Sequence, residues 1–301
     1  MMVSNRGSVL RLLYWQWRTV AILTSIAAVV VESRMRFAPD FTLPGLPIAV
    51  MGGAVGIFVS FRTNSAYARW WEGRQLWGKL VNVSRMFSSQ ILAYFPGDSD
   101  ARKAARRIVR RHVAYVHALR AALRMEKVHE DERVRAMIAE DECARLASET
   151  NPNHALVHEN LSEVAGAHTK GWIDGDQLRI LDESMRIMLD VQGGCERIKK
   201  TPLPRGYAFI ATRLIFGLAA LIPMAMGKEL GHLATPVTAL VCLAFALISE
   251  AGRVLEDPFT HFWNGLPLTQ LSIMIEANMR QRLGDEDIPA IPTVDARGIL
   301  M

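Results

Sequence analysis

From Phe41 to Phe61 the chain carries no charged residue, and this run limits what the rest can become. It matches the roughly 20 residues that a helix needs to cross a bilayer. Leu230 to Ser249 is a second charge-free run, interrupted only by His232. Two shorter apolar segments flank these. Thr19 to Val31 is preceded by an amphipathic lead-in from Val9 to Tyr14, and Leu214 to Gly227 is lengthened through Arg213 by Tyr207 to Thr212. Apolar runs of that shorter length also occur as buried helices of soluble proteins. No small-residue cleavage site ends the first run, since Val29-Val30-Val31 leads into Glu32, so it reads as a retained span.

The expected architecture is therefore all-α: a multi-pass membrane protein with four spans at about 15–33, 43–61, 207–227 and 230–249. Helical regions at about 62–204 and 250–283 lie in the cytosol, and a Pro-rich tail, extended or poorly ordered, covers 284–301. Four spans put both termini on one side. Arg6, Arg11 and Arg18 near the N-terminus assign that side to the cytosol, against only Lys228, Glu229 and His232 after the third span. Arg34 and Arg36 in the first hairpin count against this orientation. Cys143, Cys195 and Cys242 form neither a C-x-x-C pair nor an even framework, which fits a reducing compartment.

Between the second and third spans the pattern is helical. Tyr67, Trp70, Trp71, Trp77, Leu80, Val81 and Phe87 recur at helical spacing, so the second span runs on until Pro96-Gly97 stops it. Asp98, Ser99 or Asp100 caps the next helix, which continues to about Met125. Further helices are expected over Glu130 to Ser148, Asn153 to Ala167 and Asp176 to Lys199.

Residues that could carry chemistry mostly have plainer readings. Arg102, Lys103, Arg106, Arg107, Arg110 and Arg111 form two i, i+4 rows. They read as a solvated face, or as partners of the acidic segment holding Glu130, Asp131, Glu132, Glu140, Asp141 and Glu142, ahead of an anion- or headgroup-attracting stripe. His154 and His158 stand at a metal-compatible spacing but lack neighbouring ligands, so no metal or cofactor is expected. Gly52, Gly53 and Gly56 suit close helix packing. Phosphate-loop, dinucleotide and G-x-S-x-G signatures are absent, which argues against an enzyme, and no recognised motif points to nucleic acid.

One stretch is distinctive. Phe61-Arg62-Thr63-Asn64-Ser65-Ala66-Tyr67-Ala68-Arg69-Trp70-Trp71-Glu72-Gly73-Arg74 follows directly on a span and resembles the signature of the bestrophin family, particularly its bacterial branch. Gln192-Gly193-Gly194-Cys195-Glu196-Arg197-Ile198, then Thr201-Pro202-Leu203-Pro204 and Tyr207, extend the likeness. So do Arg213 with Pro223, and Glu256-Asp257-Pro258-Phe259 with Asn264-Gly265-Leu266-Pro267-Leu268, all in the family's order.

The resemblance implies a homopentamer around a central ion pore in the inner membrane of a bacterium, conducting chloride or other monovalent anions. A cation-selective channel of the same fold, and a membrane-anchored scaffold or sensor without conductance, are the alternatives. By register with the Arg-Trp-Trp signature, the pore neck falls on Gly53, Ile57 and Phe61. Their i, i+4, i+8 spacing puts them on one helix face. Spacing alone favours ordinary packing, and the resemblance reverses that preference. Gly53 stands where the family carries a bulky residue. A second, cytosolic constriction falls near Gln177 and Leu178. Arg62, Arg69 and Arg74 suit headgroup contact or local anion enrichment, and Trp70 and Trp71 suit packing. Arg213 calls for a carboxylate or carbonyl partner within the bundle. Glu250, Glu256 and Asp257 are too few for the calcium clasp of animal members.

Overall fold

The computed structural model describes residues 16–295 and 300. The amphipathic lead-in from Val9 to Tyr14, together with Arg6 and Arg11, lies outside the described residues, as do the side chains of Arg205 and Tyr207. The described residues are helical, with α1 at Trp17–Phe37, α2 at Gly45–Tyr94, α3 at Ser99–Leu123, α4 at Glu132–Arg135 and α5 at Glu140–Leu146. They continue with α6 at Pro152–Thr169, α7 at Gly175–Lys200, α8 at Arg205–Leu230, α9 at Ala234–Leu255 and α10 at Leu268–Leu283. Two helical stretches, Gly45–Tyr94 and Phe209–Leu255, are long and apolar enough to cross a membrane.

The chain divides into two compact units, with boundaries after Trp70, Thr201 and Asp257. The span expected from the sequence ends at Phe61, where the charges begin, and the compact apolar unit runs on to Trp70, with Arg62 and Ala66 still buried in it.

The apolar unit holds α1, the first half of α2, α8 and α9. On α1, Leu23, Ala27, Val31 and Arg34 are buried along one face. Leu23 joins Val55 and Val59 of α2, Ala211, Ile215 and Leu218 of α8, and Cys242 of α9 in one core. Arg34 closes the α1–α2 turn by donating to the carbonyls of Pro39 at 2.9 Å and Phe41 at 3.3 Å. The guanidinium fits there because Gly227 of α8 has no side chain, and a Cβ on it would meet Arg34 Nε at 2.5 Å. Of the three glycines expected to pack closely, Gly56 faces Phe245, while Gly52 and Gly53 have nothing within 4 Å of a Cβ position.

The polar unit is built around α3, which is buried almost throughout from Arg111 to Leu123 and on one face before that. Asp98 caps it, its carboxylate accepting from the amides of Asp100 and Ala101. Trp77 and Phe87 of α2 lie in the core of this unit, and Tyr115 of α3 donates its hydroxyl to the Met188 carbonyl of α7 at 3.0 Å. The single helix expected over Glu130 to Ser148 is instead a 3-10 turn at Val128–Glu130 followed by α4 and α5. Asp131 restarts the chain there by capping α4 through the amides of Arg133 and Val134. The start of the tail is held in place, since Asp285 pairs with Arg106, Arg110 and Arg280.

Candidate pore-lining site

Gly53, Ile57 and Phe61 lie on one exposed face of α2, with Ile57 62% and Phe61 68% exposed. Val50 and Asn64 extend that face in both directions. Val55, Val59, Arg62 and Ala66 form the opposite face and are buried. An apolar strip left uncovered by its own chain must be covered by something else.

The residues after Phe61 hold this face in place. Arg62 is 7% exposed, and its Nη1 donates to Ser249 Oγ of α9 at 2.9 Å, with the Glu256 carboxylate 3.8 Å from Nη2. At the next residue, Thr63 Oγ1 donates to the Ile248 carbonyl at 3.1 Å, and Gly252 leaves room for Thr63. Two turns on from Arg62, Arg69 Nε donates to the Glu256 carbonyl at 3.2 Å. Tyr67 stacks on Trp70 with ring centroids 6.2 Å apart. Ser249 and Gly252 were not singled out from the sequence, although Ser249-x-x-Gly252 is one helical turn directly ahead of the Glu256 motif.

Within the polar unit, Glu72 pairs with Arg197 of α7. Gly73 lies against Pro258 and Phe259, where a Cβ would meet Pro258 Cγ and Phe259 Cε1, each at 3.2 Å. Two of the signature stretches therefore touch in the fold. Trp71 is about half exposed, and Arg74 has no ion-pair partner among the described residues.

Glu250 is engaged by Arg253, Glu256 by Arg62, and no group of three metal-ligating side chains occurs among the described residues. His154 and His158 are exposed and stacked at 6.5 Å.

Arg213 departs from expectation. Among the described residues it has neither a carboxylate nor a carbonyl partner, and its guanidinium lies over the Phe209 ring at 4.9 Å. The reason is directional: helical side chains lean toward the N-terminus of their helix, which brings Arg213 onto the residue one turn earlier and lets it snorkel. Gln177 and Leu178 are half-buried in the first turn of α7. Gln177 Oε1 accepts from the Asp174 backbone N–H at 2.9 Å while the Asp174 carboxylate accepts from the Gln177 backbone N–H at 2.7 Å, forming a capping box.

The sequence profile of a family described as "Bacterial/Fungal Bestrophin protein" matches residues 1–281. A curated voltage-dependent anion channel-forming protein of Mesorhizobium japonicum is 32% identical over 247 residues, covering 82% of this chain and 77% of its own length. A protein of the same description from Ralstonia nicotianae is 29% identical over 290 residues, covering 96% of this chain and 92% of its own. Among solved structures, a bacterial bestrophin homologue from Klebsiella pneumoniae aligns with a TM-score of 0.81 at 25% identity, covering 91% of this chain and 100% of that one.

Proposed function

The chain belongs to the bacterial and fungal bestrophin family, and on that premise we propose that it is a passive anion channel whose narrow neck is lined by α2. It is a membrane protein. The observation that carries the proposal is the uncovered strip of Gly53, Ile57 and Phe61. In a ring of copies this strip faces the axis, and rings of Ile57 and Phe61 make an apolar constriction of the kind that gates by dewetting. At Gly53 the ring is wider, because that position carries no side chain. The alternative cover for the strip, lipid, needs no conduction and is separated by the experiment below.

The proposed assembly is a homopentamer of four-span subunits in the bacterial inner membrane. α1, the part of α2 up to Phe61, α8 and α9 cross the bilayer, and the polar unit and both termini are cytosolic. Arg34 and Arg36 of the first hairpin weigh little against this orientation. Arg34 is buried on loop carbonyls, and Arg36 faces Glu32 at 3.8 Å. Lipid and permeant ions are the proposed partners. The chain works without cofactor or nucleic acid and is not an enzyme. Near Gln177 and Leu178 the second constriction is polar, with Gln177 shared between the ring and its own cap.

The test is the reversal potential of purified protein in planar bilayers under a KCl gradient, with Ile57→Ala and Phe61→Ala beside the unsubstituted chain. Reversal near the chloride equilibrium potential, with conductance raised by either substitution, is the expected result. Reversal near the potassium potential overturns the anion assignment, and silence from folded protein overturns the channel.

A further inference from the structure

The basic rows of α3 are largely neutralised within the polar unit. Arg107 and Arg111 meet Glu163 of α6, and Arg111 also meets Glu142 of α5. Arg106 and Arg110 share Asp285, and Lys103 faces Asp100 at 3.8 Å. Arg102 is the exception: among the described residues no carboxylate lies within ion-pair distance of it. Arg282, in the last turn of α10, has none either.

These two free guanidinium groups open on the same cleft. It has a volume of about 470 Å³, and Arg102, Arg106 and Arg282 line it together with Leu92, Phe95 and Leu283. Arg106 fixes the wall, with Nη1 on Asp285 at 2.7 Å and Nη2 on the Leu283 carbonyl at 2.8 Å. Arg102 lies beside Gly97, where a Cβ would meet its Nη2 at 3.5 Å. With Arg106 resting on Asp285, Arg102 and Arg282 remain as two uncompensated cations in one concavity, and these repel one another unless an anion joins them. Two free planar forks match the oxygens of a phosphate group. The volume is within the range of small-molecule pockets and far larger than a halide needs, and the floor of Leu92, Phe95 and Leu283 favours an apolar body.

We propose that this cleft binds an organic phosphate monoester, with the phosphate held by Arg102 and Arg282 and its apolar body on Leu92, Phe95 and Leu283. The site is separate from the neck, and nothing in it depends on conduction.

The test uses the full-length protein in lipid nanodiscs, titrated calorimetrically with phenyl phosphate and with inorganic phosphate, empty nanodiscs serving as the blank. Phenyl phosphate binds saturably and at least tenfold more tightly than inorganic phosphate. The double substitution Arg102→Ala with Arg282→Ala weakens it at least tenfold. Leu92→Trp, which fills the cleft and keeps every charge, also weakens it. Arg107→Ala, whose charge already rests on Glu163, leaves it unchanged. Absence of saturable binding at millimolar phenyl phosphate overturns the site, as does equal affinity for the double variant. Both arginines are exposed, so an unchanged melting temperature in the double variant separates loss of binding from loss of fold. Equal affinity for the two phosphates removes the apolar body from the assignment.

Discussion

Arg62 of α2 donates to the hydroxyl of Ser249 on α9 at 2.9 Å, and this bond holds the rotation of α2 about its own axis where the uncovered strip ends. Successive helical residues are about 100° apart, so fixing Arg62 inward holds Phe61 on the uncovered face. Arg62→Met keeps much of the length and loses the donors. The expected cost is about 1.5–3 kcal/mol, the range for a hydrogen bond to a charged group. The thermal midpoint of the purified protein falls accordingly, and Arg62→Lys falls less. Conductance changes in Arg62→Met although residue 62 does not face the proposed axis, and an unaltered conductance would count against rotational control.

Gly73 and Gly53 are both glycines within α2 and should respond oppositely to alanine. Alanine is favoured over glycine in a helix interior by about 1 kcal/mol. At Gly53 a Cβ meets nothing within 4 Å, so Gly53→Ala raises stability. At Gly73 the Cβ meets Pro258 and the fully buried Phe259, each at 3.2 Å. Overpacking of that kind costs about 1–3 kcal/mol and outweighs the helical gain. Melting temperatures of the two variants, measured together, should lie on opposite sides of the unsubstituted protein.

The two long apolar stretches, the all-helical class and the family signature were legible in sequence because long apolar runs and helical spacing are local properties. Partners were not. The acidic groups that hold the α3 arginines are mainly Glu163 and Asp285, distant in sequence, whereas the nearby acidic segment supplies only Glu142 to the stripe. Periodicity tells which residues share a face and is silent on what meets it. The break between α4 and α5 escaped for a different reason: Asp131 can sit inside a helical pattern or cap a new helix, and Arg120 reaching its carboxylate accompanies the second choice. On α2, spacing placed Gly53, Ile57 and Phe61 on one face without saying that it would be the uncovered one.

His112 gives the polar unit a pH dependence. It is buried against Phe87 and Tyr115, with its Nε2 2.9 Å from Ser84 Oγ, and burial pushes its pKa down from 6.5 to about 3. The folded chain therefore keeps the ring neutral while the unfolded chain takes up a proton below about pH 6.5. Stability is complete above that pH and is lost as pH falls toward 3, at up to about 1.4 kcal/mol per pH unit. His117 is also held below its usual value by burial, though its bond to Glu276 opposes the shift, so it adds in the same direction. Denaturant unfolding at pH 7, 6 and 5, followed by the fluorescence of Trp77 and Trp172, should show a slope that His112→Gln roughly halves.

Glu276 of α10 is the acidic hub of the polar unit, and its loss should be the most damaging single charge change there. Its Oε2 accepts from His117 Nε2 at 2.9 Å and from Arg133 Nη1 at 2.8 Å, and its Oε1 accepts from Arg280 Nη1 at 3.2 Å. Burial works against ionisation, but His117, Arg133 and Arg280 outweigh it and hold the carboxyl down at about 2. Glu276→Gln preserves the shape and leaves these donors facing a neutral amide. Removing one partner from a buried charged pair costs about 3–5 kcal/mol. Since the folded pKa is depressed, the stabilisation is fully present above about pH 4.5 and disappears as pH falls toward 2. The difference in stability between Glu276→Gln and the unsubstituted chain should accordingly be largest at neutral pH and narrow in acid. Hydrogen exchange should show α10 losing protection first. A difference that stays constant from pH 7 to pH 3 would mean that shape, and not charge, makes Glu276 matter.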